Sequence, residues 1–193
     1  MPTTQEFYDQ QTGQLTQLKR MLSRSSFTRP SDTTQYAAGD VVGPVTTPAP
    51  LTFSGVGRSN GGSGQVVGAN IVTNNGTVTA GTFRLHLFNK TITPQADNAA
   101  FTGLYAARAD YLGYIDFTIL VADGASAADA QTQNRGSIGT ATGMPIDFVC
   151  AAGDTTLFGV LVVTGTYTPA SAQVFQVTLI VSPDPTANRL NQA

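Results

Sequence analysis

The sequence predicts an all-β protein, an antiparallel β-sandwich of jelly-roll-like kind, entered through an extended or short-helical N-terminal arm. Three observations carry that expectation. From Ser25 onward, apolar and polar residues alternate at period two in short segments, Gly, Pro, Asn and Asp break these segments, and no helical periodicity lies between them. Composition agrees: the 193 residues include 28 Thr, two Lys and no Trp, and 11% are charged, less than half the roughly 25% usual for soluble proteins.

The arm is expected over residues 1–35, the sandwich body over 36–182 and a polar tail over 183–193. Residues 1–24 hold good helix formers, and Tyr8, Leu15, Leu18 and Leu22 fall at spacings of seven, three and four, one apolar stripe of a short helix. Gly13 and the Gln-rich first half weaken the helical pattern, which leaves a short arm or helix. Strands follow at Asp40–Val45, Leu51–Val56 and Gln65–Thr73. Phe83, Leu85 and Leu87 then alternate with Arg84 and His86, and Ile115, Phe117, Ile119 and Val121 alternate with Tyr114, Asp116 and Thr118. Ile146–Cys150 is a further strand, and Phe175, Val177, Leu179 and Val181 alternate with Gln176 and Thr178. These patterns describe strands with one wet face. Leu157–Val163 is apolar throughout, so it should be covered on both faces. Turn chemistry at Asn60–Gly64, Asn74–Gly76 and three Thr-Pro pairs separates the strands. Residues 122–143 lack large apolar side chains and read as a long exposed loop.

A search for chemistry finds little to build on. His86 is the only histidine and sits on the strand face opposite Phe83, Leu85 and Leu87, where it hydrogen-bonds a neighbour or packs in an interface. Cys150 ends an apolar strand, as buried structural cysteines do. One Cys and one His do not make a zinc site, and Asp123, Asp129 and Asp154 lack calcium-loop spacing. Glu occurs once, at Glu6, while Asp residues sit mainly in turns, and Gly61–Gly64 lacks the Lys of a phosphate loop. No enzyme activity, metal or cofactor is expected. A net charge of −2 argues against nucleic acid as a direct partner. Met1–Glu6 has neither a basic nor an apolar leader region, and no apolar run approaches the roughly 20 residues of a membrane helix.

Two features stand out. Lys19, Arg20, Arg24 and Arg29 place four of the ten basic residues within eleven positions, either a solvated helix end or a docking arm whose Arg residues pair with carboxylates. The sparse charge implies a surface meant to be covered, because few ionic groups protect it from association.

Several stretches together resemble the head decoration or cement-type structural proteins of tailed bacteriophages: Arg29-Pro30-Ser31-Asp32-Thr33-Thr34-Gln35-Tyr36-Ala37-Ala38-Gly39-Asp40-Val41-Val42, Gly61–Gly64, Phe83–Phe88, Asp97–Phe101 and Tyr111–Ile115. The likeness covers residues 29–121. It implies a non-enzymatic subunit, often trimeric, that binds the exterior of a shell of major capsid protein assembled in the host cytoplasm. In that case Leu15, Leu18 and Leu22 are apolar anchors, Lys19, Arg20, Arg24 and Arg29 dock on the capsid, and Tyr36 with the Gly39-Asp40 turn marks entry into the sandwich. The rival expectation is a carbohydrate- or receptor-binding module of a tail or head fibre, which would use exposed rings such as Tyr105 or Tyr111.

Overall fold

The computed structural model describes residues 6–8, 15–17, 20–44, 47–76, 81–118, 120–133 and 144–184. All regular structure among them is β. Strands β1 (Glu6–Tyr8) and β2 (Leu15–Gln17) pair antiparallel as a two-stranded sheet. The body follows with β3 (Met21–Thr28), β4 (Val41–Val42), β5 (Leu51–Phe53), β6 (Ser63–Thr73), β7 (Phe83–Phe88), β8 (Tyr111–Phe117) and β9 (Val121–Ala122). It closes with β10 (Ala128–Gln133), β11 (Ile146–Val149), β12 (Leu157–Val163) and β13 (Val174–Pro183).

The six-stranded sheet has the order β3-β13-β6-β10-β9, with β11 pairing β6 beside β10. The five-stranded sheet has the order β4-β12-β7-β8, and β5 shares the β12 edge with β4, so β4 and β5 act as one strand interrupted by residues 43–50. Counting β4/β5 as one and setting aside β9 and β11, one sheet holds the first, eighth, third and sixth strands and the other the second, seventh, fourth and fifth. The chain changes sheet at every step except β7 to β8, which is the strand order of a double-sheet jelly roll.

The alternating residues supply the core. Phe83, Leu85, Leu87, Ile115, Phe117, Phe175, Val177, Leu179 and Val181 are all buried between the sheets. Phe83 meets Tyr167 and Phe175 edge-on, at centroid distances of 5.2 Å and 5.6 Å. Gly159 lies on the inner face of β12 because a Cβ there would come within 2.8 Å of Leu85 Cδ1. A second apolar cluster covers the outer face of the five-stranded sheet. Val160, Val162, Phe88 and Val41 lie beneath Ile92, Phe101 and Leu104 of the β7–β8 connection. The expected two-sided cover of Leu157–Val163 therefore has a physical cause: core on one face, a folded-back connection on the other.

Four expectations need correction. The short helix is absent from the described residues: Tyr8 pairs with Leu15 across a β-ladder, and Leu22 stands on β3. Spacing suggested a stripe, but pairing with β13 along the whole of β3 overrides local propensity. The sheet thus begins at Met21, inside the segment read as an arm. The supposed loop over 122–143 contains β10, a strand between β6 and β9 whose inward Ala128 and Ala130 are too small to register as an apolar pattern. Ile115–Val121 is two strands in different sheets, β8 and β9. The polar tail is expected from Pro183, but β13 runs through Pro183, opposite Gly64. Residues 185–193 lie outside the described residues, as do 134–143 and Val45.

Candidate functional site

The basic cluster read from the sequence divides into two environments. Along β3, Leu22, Arg24, Ser26 and Thr28 face solvent, while Ser23 is buried and Met21, Ser25 and Phe27 are half-buried toward the opposite sheet. Ser23 Oγ donates to the Ser54 carbonyl at 2.8 Å, and the Thr52 amide donates to Ser25 Oγ at 3.0 Å, so hydroxyls stitch β3 to β5 at this corner. Phe27 stacks on Phe175 at 5.6 Å. Leu22 is left 54% exposed beside the exposed Arg20 and Arg24. Neither cation meets a carboxylate among the described residues. Leu15 lies in β2, paired with Tyr8, and Leu18 and Lys19 lie outside the described residues.

Arg29 is the correction to the docking set. It is fully buried, because the chain leaves β3 at Thr28 and turns its next side chain into the sandwich end. Its Nε donates to the Tyr36 hydroxyl, and its Nη2 pairs with Asp97 at 3.1 Å and Asp32 at 3.3 Å. The Tyr36 hydroxyl donates to Asp97 Oδ1 at 2.6 Å, and the Gly43 amide donates to the same oxygen at 2.9 Å. The guanidinium also lies 4.8 Å from the Tyr36 ring centroid. Burial, and then the Asp97 carboxylate, push the Tyr36 phenol far above its ordinary value, so it stays a donor. Burial works against the Arg29 charge, but Tyr36, Asp97 and Asp32 more than offset it. Tyr36 bridges Tyr167, and Gly39, at a φ of 92°, makes the turn into β4; this is a passage from one sheet to the other and not the expected point of entry, because β3 has already brought the chain into the sandwich.

A second polar group crosses the outer face of the five-stranded sheet. Register places Arg84 opposite Asp116 and His86 opposite Tyr114. Arg84 and Asp116 form a bidentate pair at 2.6 Å and 2.8 Å, with the guanidinium 3.8 Å from the Tyr114 ring centroid. His86 Nδ1 lies 3.2 Å from the Tyr111 hydroxyl, and its ring packs 5.2 Å from Phe101. Burial, reinforced by Arg84, lowers the His86 imidazole to about 4, so it is neutral at physiological pH. An open groove of about 420 Å³ lies over Arg84, His86, Phe101, Leu104 and Val162. Farther along the β7–β8 connection, Tyr105 projects 77% exposed, with Arg108 4.4 Å from its ring centroid.

Cys150 is buried, and burial raises its thiol to about 11, so it is neither thiolate nor nucleophile at neutral pH. Among the described residues no three His, Cys, Asp or Glu side chains are grouped to hold a metal ion, and no helix is long and apolar enough to cross a membrane. Sequence reasoning did not find Asp97, because it lies 68 residues from Arg29 and no spacing links them. The Arg84–Asp116 pair did have a signal: both are the polar members of alternating strands.

No protein-family model matches the chain, and no curated protein matches it. Among solved structures, it is similar to a chain of the cyanophage Pam1 capsid asymmetric unit, at 12% identity over 96% of this chain and 100% of that one, with a TM-score of 0.32. It is also similar to the PRD1 vertex protein, at 13% identity over 82% and 95%, with a TM-score of 0.31. A structure of tomato aspermy virus is similar at 11% identity over 89% and 81%, with a TM-score of 0.29.

Proposed function

We propose that this chain is a structural virion protein that binds the outer surface of an assembled bacteriophage capsid and stabilises it, with the major capsid protein as its partner. The outer face of β3 carries the reading. Leu22 is exposed between Arg20 and Arg24, in a chain where Arg29, Arg84 and Lys90 are each engaged in ion pairs within the body. An exposed apolar side chain flanked by guanidinium groups that meet no carboxylate among the described residues is what a partner with acidic and apolar surface recognises. Leu15, Leu18 and Lys19 extend this contact toward the N-terminus, and Arg29 leaves the contact set because it is part of the body's interior. An oligomer, a trimer in this reading, presents several copies of the contact at once, and repetition over a symmetric shell makes a weak individual bond effective.

The test is addition of the chain to assembled shells that lack it, with the bound copies counted per particle. Copies on the order of hundreds, together with a raised temperature of shell disruption, support the proposal, because a repeated lattice offers that many equivalent sites. A copy number on the order of ten moves the chain to a tail or fibre. Deleting residues 1–19 keeps β3 whole, whereas a cut after residue 24 removes half of it. The shorter deletion should fold and coat shells more weakly; full coating would remove Leu15, Leu18 and Lys19 from the contact.

The second reading, a carbohydrate- or receptor-binding module, has one observation in its favour. Tyr105 is a free ring platform braced by Arg108, near the groove over His86 and Phe101. Glycan-array binding that is lost in Tyr105→Ala would favour it.

A further inference from the structure

We propose that the open edge of β3 receives an extended strand from the docking partner, one with a carboxylate on its outward face and small apolar side chains on its inward face. The identity of the partner rests on the docking reading above, while the edge itself rests on backbone geometry.

The direction of each β3 amide follows from two sets of bonds. The Arg29 amide donates to the Gln173 carbonyl at 3.0 Å, directly opposite by extension of the β3–β13 register. Val174 turns the other way: its amide donates to Asn74 Oδ1 at 2.8 Å, and its carbonyl accepts from the Asn74 amide at 3.2 Å. In an antiparallel ladder such directions alternate. Met21, Ser23, Ser25 and Phe27 therefore exchange bonds with β13, and Leu22, Arg24, Ser26 and Thr28 direct their N–H and C=O groups to the free edge. Among the described residues no backbone bond engages those four. Each offers one donor and one acceptor to an added strand.

Natural sheets usually blunt such an edge with a short strand, proline, lysine or a bulge. The far edge of this same sheet does so, since β9 has two residues. By contrast, β3 runs eight residues with no proline, no register shift against β13, and Arg24 as its one charged side chain. A groove of about 190 Å³ runs beside it, with Ser25, Ser26 and Phe27 on one wall and Pro44, Pro50 and Leu51 among the residues lining the rest. No titratable side chain lines this groove, which suits small apolar residues on the inward face of an incoming strand. On the outward face the edge carries Arg24, so the complementary strand sets a carboxylate against it.

The test uses the full chain and two blocked hexapeptides, one alternating Glu with Val and one alternating Lys with Val, read by amide hydrogen exchange. The Glu peptide should slow exchange by about tenfold or more at Leu22, Arg24, Ser26 and Thr28, and leave the amides of Met21, Ser23, Ser25 and Phe27 unchanged. The Lys peptide should protect the same amides more weakly. Ser26→Pro removes an amide that β13 does not use, so it should keep the unfolding midpoint and lose the peptide. No protection, or equal protection at both sets of residues, overturns the proposal whether or not the variant folds. On shells, Ser26→Pro coating as well as the parent chain sinks edge pairing and leaves docking standing. Alternating peptide protection from a chain that coats no shell keeps the edge and removes its assigned partner.

Discussion

Arg24 and Arg29 stand five positions apart in one basic cluster, and the fold gives them opposite surroundings. Arg29 is sealed among Tyr36, Asp32 and Asp97, with donors directed at groups inside the same chain. Arg24 projects from an open sheet edge next to an exposed leucine. The difference is set by strand parity and by where β3 ends, not by the residue type. A cation buried at the sandwich end is tolerated only because a carboxylate and a phenol were carried in with it. A cation on the edge stays hydrated and available. In a chain with so few charges, density of basic residues is therefore a poor guide to binding, and the presence or absence of an internal partner is a better one.

The sealed region should fail hardest. Arg29→Met leaves the buried Asp97 with the Tyr36 hydroxyl and the Gly43 amide but without its cation, and should cost about 3–5 kcal/mol in urea denaturation, the usual effect of breaking a buried pair. A loss below about 1 kcal/mol would mean that the group is solvated and the contrast with Arg24 is one of degree. The buried imidazole under the β7–β8 connection sharpens the same contrast. His86 ionises at about 4 in the folded chain and at the ordinary 6.5 in the unfolded one. The unfolded state thus binds more protons between these values. Stability is unaffected above pH 6.5 and falls as pH drops toward 4, at up to about 1.4 kcal/mol per pH unit. Arg84 faces the ring and deepens the effect, Asp116 opposes it, and Tyr111, whose phenol burial holds above its ordinary value, stays neutral throughout that window. His86→Phe should remove the wild-type excess slope; identical pH profiles would show that the ring is already protonated or wet. At the open region, Leu22→Ser and Arg24→Ala should each change stability by no more than about 0.5 kcal/mol, as exposed substitutions do. A loss above about 2 kcal/mol would show that these side chains serve the fold.

The body was legible in the sequence wherever large apolar residues alternate. Leu157–Val163 is a strand with the two-sided cover its pattern implied, whereas Phe83–Phe88 is a strand whose expected wet face is largely covered, with His86 and Phe88 buried under the β7–β8 connection. Legibility failed where the inward residues are small, as with Ala128 and Ala130 of β10, and where an edge strand puts leucine outward and serine inward, as β3 does. Ser23 and Ser25 face in because their hydroxyls bond backbone groups at the β5 corner, a requirement that only the folded chain creates. Arg84 and Asp116 could be matched once their strands were aligned, since both are outward members of neighbouring alternations. Arg29 could not be separated from Arg24, because its partner Asp97 belongs to a connection that folds back from elsewhere in the chain.

The central claim is that β3 presents a docking face while the interior cations do not, and a charge-reversal comparison addresses it directly. Arg24→Glu and Arg108→Glu remove equal charge from two exposed positions, one on the β3 face and one on the β7–β8 connection. The account predicts that Arg24→Glu abolishes saturation of assembled shells and that Arg108→Glu leaves it intact at the same unfolding midpoint. Equal binding by both variants, or loss with Arg108→Glu alone, would contradict it.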